Sequence, residues 1–594
     1  LKTLWKLNTY FKRYKKYLFL GLLFVTLSNF FSVYQSRFVG LITDLAAGTM
    51  KENPNRILQW IFEGASGPRV VMISALCIFV LALLKGFFMF YMRQTIIVMS
   101  RHIEYDQKND IFAHYQKLST SFYKKHSTGD LMTRISEDVS KVRNYTGPAI
   151  MYFANLLVMF VITLTIMLGI DVKLTLIVLS PLPVMAVLIY YINRSILKRS
   201  GIVQAKLSAL STFAQEAFSG IRVLKSFGIT EAFSDKFAAE TESYKKVNLQ
   251  LVKMDALFFP VILLLIGLST TLTIYVGGIE VLEGRISPGV IAEFIMYVNM
   301  LTWPTATLGW VTSIVQQAKA SQLRIDEFLQ TEPEIRNPNP GEPFVPKGEI
   351  RFKNVDFTYE QTGITALKNI NFVLEPGQRL GITGRTGSGK TTLTQLLLRM
   401  FDVTGGQILI DGQPIDRINL EDYRRHIGYV PQEIQLFSDS IAHNIMFGTQ
   451  DRADEKDVRK AAELAGVLHN IEAFPNRFDT LIGERGIKLS GGQKQRISIA
   501  RALIKNPEIL ILDDCLSAVD AETEDIILAN LDGMMKGRTS IFVSHRVSAL
   551  RKADIVMVLD QGEIVQMGSP EELRVADGYY REIFNKQMGQ ANLV

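Results

Sequence analysis

A chain of 594 residues exceeds what one hydrophobic core usually holds, roughly 250–300 residues, so at least two structural units are expected. Its 48% hydrophobic residues, 35 of them phenylalanine, are too many for an ordinary soluble protein, while 21% charged residues are too many for one wholly in a membrane. The net charge of +7 raises nucleic acid as a partner, but the basic residues cluster beside apolar runs, as in FKRYKKYLF (11–19) and NRSILKRS (193–200). That placement orients membrane spans, so no nucleic-acid partner is expected.

In chain order, a basic start leads into YLFLGLLFVTL, which has the look of a secretory signal. No small-residue cleavage site follows promptly, so the run reads as a retained first transmembrane helix. Six spans are expected, at about 17–39, 70–92, 149–170, 172–193, 254–276 and 289–310, each near the ~20 residues that cross a bilayer. The third and fourth are separated so briefly that they must form a tight helical hairpin. Segments 93–148 and 194–253 are long, rich in Lys and Arg and helical in period, so they extend the spans into the cytoplasm, where the N-terminus also lies. Each contains one break, FYKKHSTGD (122–130) and FSGIRVLKSFG (218–228). These read either as plain loops or as docking turns. In the last span, Glu293 reads equally as facing a central cavity, where it would attract cations, or as interfacial. Phe294, Tyr297, Trp303 and Trp310 read as a cavity wall or as aromatics at the lipid interface.

Residues 331–347 are proline-rich linker between an expected membrane domain, 1–330, and a soluble domain, 348–594. Cys77 and Cys515 fall in different domains, so no structural disulfide is expected. From Ile350 strands alternate with helices, as in an α/β nucleotide-binding domain. Within it GRTGSGKTT (384–392) lies between the strand RLGITG and the apolar helix LTQLLLRM. Gly384, Gly387 and Gly389 let the backbone of this loop, with Arg385, Thr386, Ser388 and Thr392, turn its amides to the phosphates of ATP. Lys390 is expected at the β and γ phosphates and Thr391 on Mg²⁺. In ILILDDCLSAVD (509–520), Asp513 ends a buried strand, where a carboxylate holds Mg²⁺ from the other edge of the site.

The phosphate loop, YVPQE (429–433), LSGGQKQR (489–496), the double aspartate and SHR (544–546) together resemble the ATP-binding-cassette family. With the six spans the resemblance covers nearly the whole chain and points to the type IV, multidrug-exporter branch. It implies a membrane all-α domain of six helices with long cytoplasmic extensions, fused to a P-loop α/β nucleotide-binding domain. It further implies that Tyr359 stacks on adenine, that Gln432 contacts Mg²⁺ and the attacking water, and that His545 contacts the γ phosphate. Ser490, Gly491, Gly492 and Gln493 would contact ATP held by a second half-transporter, so the chain must dimerise. The breaks at 122–130 and 218–228 would be coupling turns, GERG (483–486) would touch the intracellular helices, and SAVD (517–520) would be the dimer-contact loop, with Val519 where Leu is usual.

Asp514 stands where the family usually has the glutamate that polarises water. Aspartate is about 1 Å shorter in reach, a displacement that costs about a hundredfold in a positioned reaction. The resemblance is therefore to the degenerate-site subunit of a heterodimeric exporter, whose partner carries the Glu; a slow homodimer is the alternative. The function implied is ATP-driven export of drugs or amphipathic, lipophilic compounds from the membrane by alternating access. Lipid flipping is second, and peptide export third, since no peptidase-like domain precedes the first span. A soluble cassette ATPase is disfavoured by the spans, and an ATP-gated channel by the lack of a regulatory insertion.

Overall fold

Five helical stretches among the described residues of the computed structural model are long and apolar enough to cross a membrane: Lys15–Ala46, Pro68–Lys117, Thr128–Ile170, Val172–Ser219 and Thr230–Leu282. The expected sixth span lies in the helix Pro288–Leu329, where Glu293, Asn299 and Pro304 dilute the apolar run. Phe294, Tyr297, Val298 and Leu301 of that helix are buried, so it depends less on lipid contact than its neighbours do. The structure describes residues 2–49, 67–449, 452–483, 489–517, 519 and 521–591. It divides into two units, Leu1–Gln116 with Thr128–Thr331 and Lys117–Ser127 with Glu332–Val594.

In the first unit the distribution of a soluble protein is reversed. Leu76, Phe79 and Leu83 stand exposed, whereas Ser28, Asn29, Ser32 and Ser36 are buried. Helices solvated by lipid adhere through small and polar groups in this way. Asn29 Nδ2 donates to Asn155 Oδ1 at 3.0 Å. The 51-residue helix Gly67–Lys117 is about 75 Å long, more than twice the ~30 Å hydrocarbon core, so its polar half projects beyond a bilayer. Between the third and fourth spans Asp171 makes the expected tight turn. Its extended backbone ends one helix, and its carboxylate accepts from Leu174 N at 2.6 Å to cap the next.

Two expectations for the last span are corrected. Glu293 does not face a cavity: it is buried against Gly40, its Oε2 accepts from Tyr297 OH at 3.3 Å, and Arg37 Nη1 stands 3.9 Å away. A buried carboxylate requires such partners. Phe294 and Tyr297 are fully buried core residues packed with Leu174, Val178 and Leu265, not wall or belt aromatics. Trp310 is half-exposed with its ring edge-on to Tyr152, and the Trp303 side chain lies outside the description.

The second unit contains two sheets. Strands β1 (Ile350–Thr358), β2 (Thr365–Leu374), β4 (Gly405–Ile410) and β5 (Gln413–Pro414) form an antiparallel sheet ordered β2-β1-β4-β5. Strands β3 (Arg379–Gly384), β6 (Ile427–Val430), β7 (Ile509–Asp513), β8 (Thr539–Val543), β9 (Ile555–Asp560) and β10 (Glu563–Gly568) form the other, ordered β10-β9-β3-β8-β7-β6 and parallel except for β10. Every residue of β7 and β8 is buried, as strands covered on both faces must be. The parallel register pairs Asp513 with Val543 and Gly384 with Leu559, which brings the carboxyl ends of β3, β7 and β8 to one edge. Open α/β sheets carry their ligands there.

Residues 332–347, expected as linker, form no helix or strand yet are stapled to this unit. Asn337 Nδ2 donates to Asn419 Oδ1 and Asn337 Oδ1 accepts from Leu420 N, both at 3.0 Å, and Phe344 N reaches Asp422 Oδ2 at 3.3 Å. The first expected coupling turn belongs to the same unit, as the helix Thr120–Lys125. Lys125 Nζ lies 3.1 Å from Glu360 Oε2, Gln361 Nε2 donates to Ser121 O at 3.1 Å, and Ile335 N donates to Ser119 Oγ at 3.0 Å. The second turn is the helix Ile221–Ser226 of the first unit, flanked by the exposed rings of Phe218 and Phe227.

Candidate nucleotide-binding and catalytic site

Strand β3 ends at Gly384, and the chain turns through 384–389 into the helix Lys390–Leu397. Gly389 has φ 101°, and a Cβ there would fall 2.4 Å from Ala366 O, so only glycine lets the loop lie this close to β2. Ser388 Oγ is buried and has no hydrogen-bond partner among the described residues, an orphan suited to a phosphate oxygen. Lys390 Nζ folds over the loop and donates to Gly384 O and Arg385 O, both at 2.9 Å. Burial lowers its proton affinity, against the opposing pull of Asp514 and Asp513.

Asp513 is wholly buried at the end of β7, with a threonine hydroxyl on each carboxylate oxygen. Thr391 Oγ1 donates to Oδ1 at 3.3 Å and Thr394 Oγ1 to Oδ2 at 3.0 Å. Burial raises the Asp513 pKa, and these two hydrogen bonds counter the rise. Thr391 Oγ1 also lies 3.5 Å from Gln432 Oε1. The Thr391 hydroxyl, the Asp513 carboxylate and the Gln432 amide oxygen are a hard-oxygen set that fits Mg²⁺, which takes few protein ligands and completes its shell with water and substrate phosphates. No cluster of three His, Cys, Asp or Glu that could hold a metal ion occurs among the described residues.

Asp514 has φ 47°, a left-handed conformation that aspartate tolerates better than most residues. Its N–H donates to Val543 O at 2.9 Å and its carbonyl accepts from Ser517 Oγ at 3.1 Å. Burial raises its pKa, while His545, Lys390 and Arg546 pull it down. His545 is held below the usual imidazole range by burial and Lys390, against Asp514. Asp514 and His545 line one cleft of about 550 Å³ together with Tyr359, 386–392, Gln432 and Asp513. Tyr359 OH lies 3.0 Å from Thr392 Oγ1, its ring is edge-on to Phe357 and Phe401, and Lys124 Nζ sits 4.8 Å from its centroid.

Ser490, Gly491, Gly492 and Gln493 do not line this cleft, nor does Arg385. They open the helix Gly491–Leu503 with a capping box: Ser490 Oγ accepts from Gln493 N at 3.2 Å, and Gln493 Oε1 accepts from Ser490 N at 3.0 Å. The two glycine amides thus stand in the first turn, where an anion is favoured. Of GERG, residues 484–486 lie outside the described residues, as do Ala518 and Asp520 of SAVD, whereas Val519 is buried.

Two residues have site contacts that are not apparent from motif reading. Thr394 is one, although its place three residues beyond Thr391 in a helix is a signal that both hydroxyls share a face. The other is Arg546, whose guanidinium donates to Val519 O and Ser517 O, each at 3.0 Å, and pairs with Glu524. Arg546 closes the SHR motif, but the motif does not name its partners, which lie more than twenty residues away.

Two family profiles match the chain, one described as ABC transporter transmembrane region over residues 18–305 and one as ABC transporter over 367–517. The multidrug resistance-like ATP-binding protein MdlA of Escherichia coli (strain K12) is 36% identical over 594 residues, 99% of this chain and 97% of that protein. The ATP-dependent lipid A-core flippase of Pseudomonas fluorescens (strain Pf0-1) is 33% identical over 542 residues, 89% of this chain and 90% of that protein. Among solved structures, a bacterial Atm1-family ABC exporter with ATP bound matches with a TM-score of 0.76 at 26% identity, over 97% of this chain and 99% of that one.

Proposed function

Because the chain belongs to the ABC transporter family, we propose that it is one half of a heterodimeric exporter of drugs or other amphipathic compounds, the half that carries the slower ATP site. As a member it is a multi-pass inner-membrane exporter whose cytoplasmic nucleotide-binding domain is an ATPase coupled to transport. The multidrug-type relative supports the cargo class.

In this reading the loop amides of 384–389 and Lys390 take the phosphates of ATP, with Lys390 leaving its two carbonyl partners to do so. Tyr359 receives the adenine ring. Bound Mg²⁺, held by Thr391, Asp513 and Gln432, would neutralise phosphate charge. Asp514 orients and deprotonates water, and His545 holds the γ phosphate. Ser490, Gly491, Gly492 and Gln493 serve the ATP of the partner half, which agrees with their absence from this chain's own cleft. ATP binding closes two such domains, the turn Thr120–Lys125 carries the motion from beside Tyr359, and the membrane helices switch from inward-facing to outward-facing.

The observation that carries the heterodimer is the short carboxylate of Asp514 on a backbone hydrogen-bonded at both N–H and carbonyl. Dye transport into inside-out vesicles should be weak with this chain alone and strong with a partner half carrying glutamate. Equal transport with and without the partner would overturn the assignment. A homodimeric lipid flippase is the second reading, favoured by the flippase relative; ATP-dependent movement of a glycolipid across vesicles holding this chain alone would select it.

A further inference from the structure

The helix Tyr579–Ala591 docks on the nucleotide-binding unit through one stripe. Tyr580 is fully buried among Leu550, Val556, Val558 and Leu573, with Ile583 and Phe584 packed beside it. Gln587 lies three residues beyond Phe584 and seven beyond Tyr580, hence on the same face. Its side-chain amide ends on the histidine segment: Nε2 donates to His545 O at 2.8 Å, and Oε1 accepts from Val547 N at 2.9 Å. One planar amide therefore takes the backbone acceptor and the backbone donor on either side of Arg546. Val547 N is the first amide of a short helix and has no partner within that helix, so the contact also satisfies a group that would otherwise depend on water.

Other contacts complete the hold. Ser544 N donates to Ile382 O at 3.0 Å, Arg546 N donates to Ser544 Oγ at 2.9 Å, and Arg546 reaches Ser517 and Val519. Gln587 is the group that fixes the carbonyl of His545 itself, and hence the torsions that set where the imidazole enters the cleft.

We propose that Gln587 is a positioning residue for His545, so that the helix Tyr579–Ala591 forms part of the ATP site without touching ATP. The inference rests on the reading of His545 as the γ-phosphate contact, and it predicts that loss of the clasp weakens recognition of that phosphate specifically.

The test uses the full chain in lipid nanodiscs, with ATP and ADP as probes. Two variants serve: Gln587→Leu removes both hydrogen bonds, and Gln587→Glu keeps the acceptor for Val547 N while losing the donor to His545 O. Each should lower the preference for ATP over ADP by about tenfold, the loss of one hydrogen bond to a charged group, and should leave ADP affinity unchanged. In a His545→Ala background neither should lower it further, because both act through the same contact. Without nucleotide, Gln587→Leu should speed hydrogen exchange at Val547 N–H. If His545→Ala lowers the ATP preference and the Gln587 variants do not, or if their effects add to it, the inference is overturned while the reading of His545 stands. If His545→Ala leaves the preference unchanged, that reading fails and the inference falls with it.

Discussion

Replacing Asp514 by glutamate should raise the turnover of the chain, and the local structure gives the size. The missing methylene shortens the reach to water by about 1 Å, which in a positioned reaction is about a hundredfold in rate, or about 2.7 kcal/mol. A backbone shift would recover that distance only if it were free. Here the Asp514 N–H is 2.9 Å from Val543 O and its carbonyl is 3.1 Å from Ser517 Oγ, so a 1 Å slide would carry both beyond about 3.5 Å and forfeit about 1 kcal/mol each. A slide would therefore itself cost about 2 of the ~2.7 kcal/mol, so most of the shortfall remains, and Asp514→Glu is expected to increase kcat by about ten- to a hundredfold with little change in the KM for ATP. A cost should accompany the gain. At φ 47° glutamate is less at ease than aspartate, by up to about 1 kcal/mol, and Tm should fall by about 2–4 °C. Phosphate release by the full chain in nanodiscs at saturating MgATP is the assay, with Asp514→Asn as the inactive control. Rapid hydrolysis by the unaltered chain, matched by Asp514→Glu, would show that reach is not limiting and would remove the argument for a slow site.

Thr394→Val leaves a buried oxygen of Asp513 without its donor, a loss of about 1.5–3 kcal/mol. It should raise several-fold the concentration of Mn²⁺ needed to bind with ATP, as read by paramagnetic resonance, whereas Thr394→Ser should not. Gly389→Ala places a Cβ 2.4 Å from Ala366 O at φ 101°, so ATP binding measured with a fluorescent analogue should be lost and Tm lowered. His545 is held below its ordinary pKa of about 6.5, so under that pH the unfolded chain takes the proton first and stability declines as pH falls through the folded value. His545→Gln removes this contribution, and the Tm of the nucleotide-free protein should then fall less between about pH 7 and 5 than it does in the unaltered chain.

How far the site was legible depends on where its partners lie along the chain. The phosphate loop works through consecutive backbone amides between a strand and a helix, so residues 384–392 announce it without tertiary information. Asp513 is legible for a related reason, since a fully apolar strand ending in a carboxylate delivers it to the sheet edge. Glu293 shows the opposite case. Its neighbours Gly40 and Arg37 are some 250 residues away, so the sequence offers a cavity or an interfacial placement for this acid and not the buried, partnered one. Phe294 and Tyr297 follow it into the core, because helix periodicity does not say which face meets lipid and which meets other helices. Proline content marks 332–347 as free of helix and strand, but Asn337 and Phe344 hold it to the domain through partners about 80 residues on. Thr394 and Gln587 escape motif reading because each contacts another candidate site residue rather than lying in a motif, and SHR names Arg546 without its distant partners.

Those supporting contacts bear on what a short carboxylate does to this site. Asp514 keeps the electrostatic surroundings of a working base: Lys390, His545 and Arg546 all favour its charged form against the effect of burial. Asp513 has both threonine hydroxyls, and Tyr359 and residues 386–392 line the cleft. A disused site has no functional reason to keep such contacts, although each also spares a buried polar group from standing unsatisfied. Here the change is confined to reach. On the proposed reading such a site would hold ATP longer than a glutamate site, because the chemical step that ends occupancy would be the one that is slowed. In a pair of nucleotide domains closed by ATP, this half would then act mainly as the clamp, with the faster partner site setting the rate of opening.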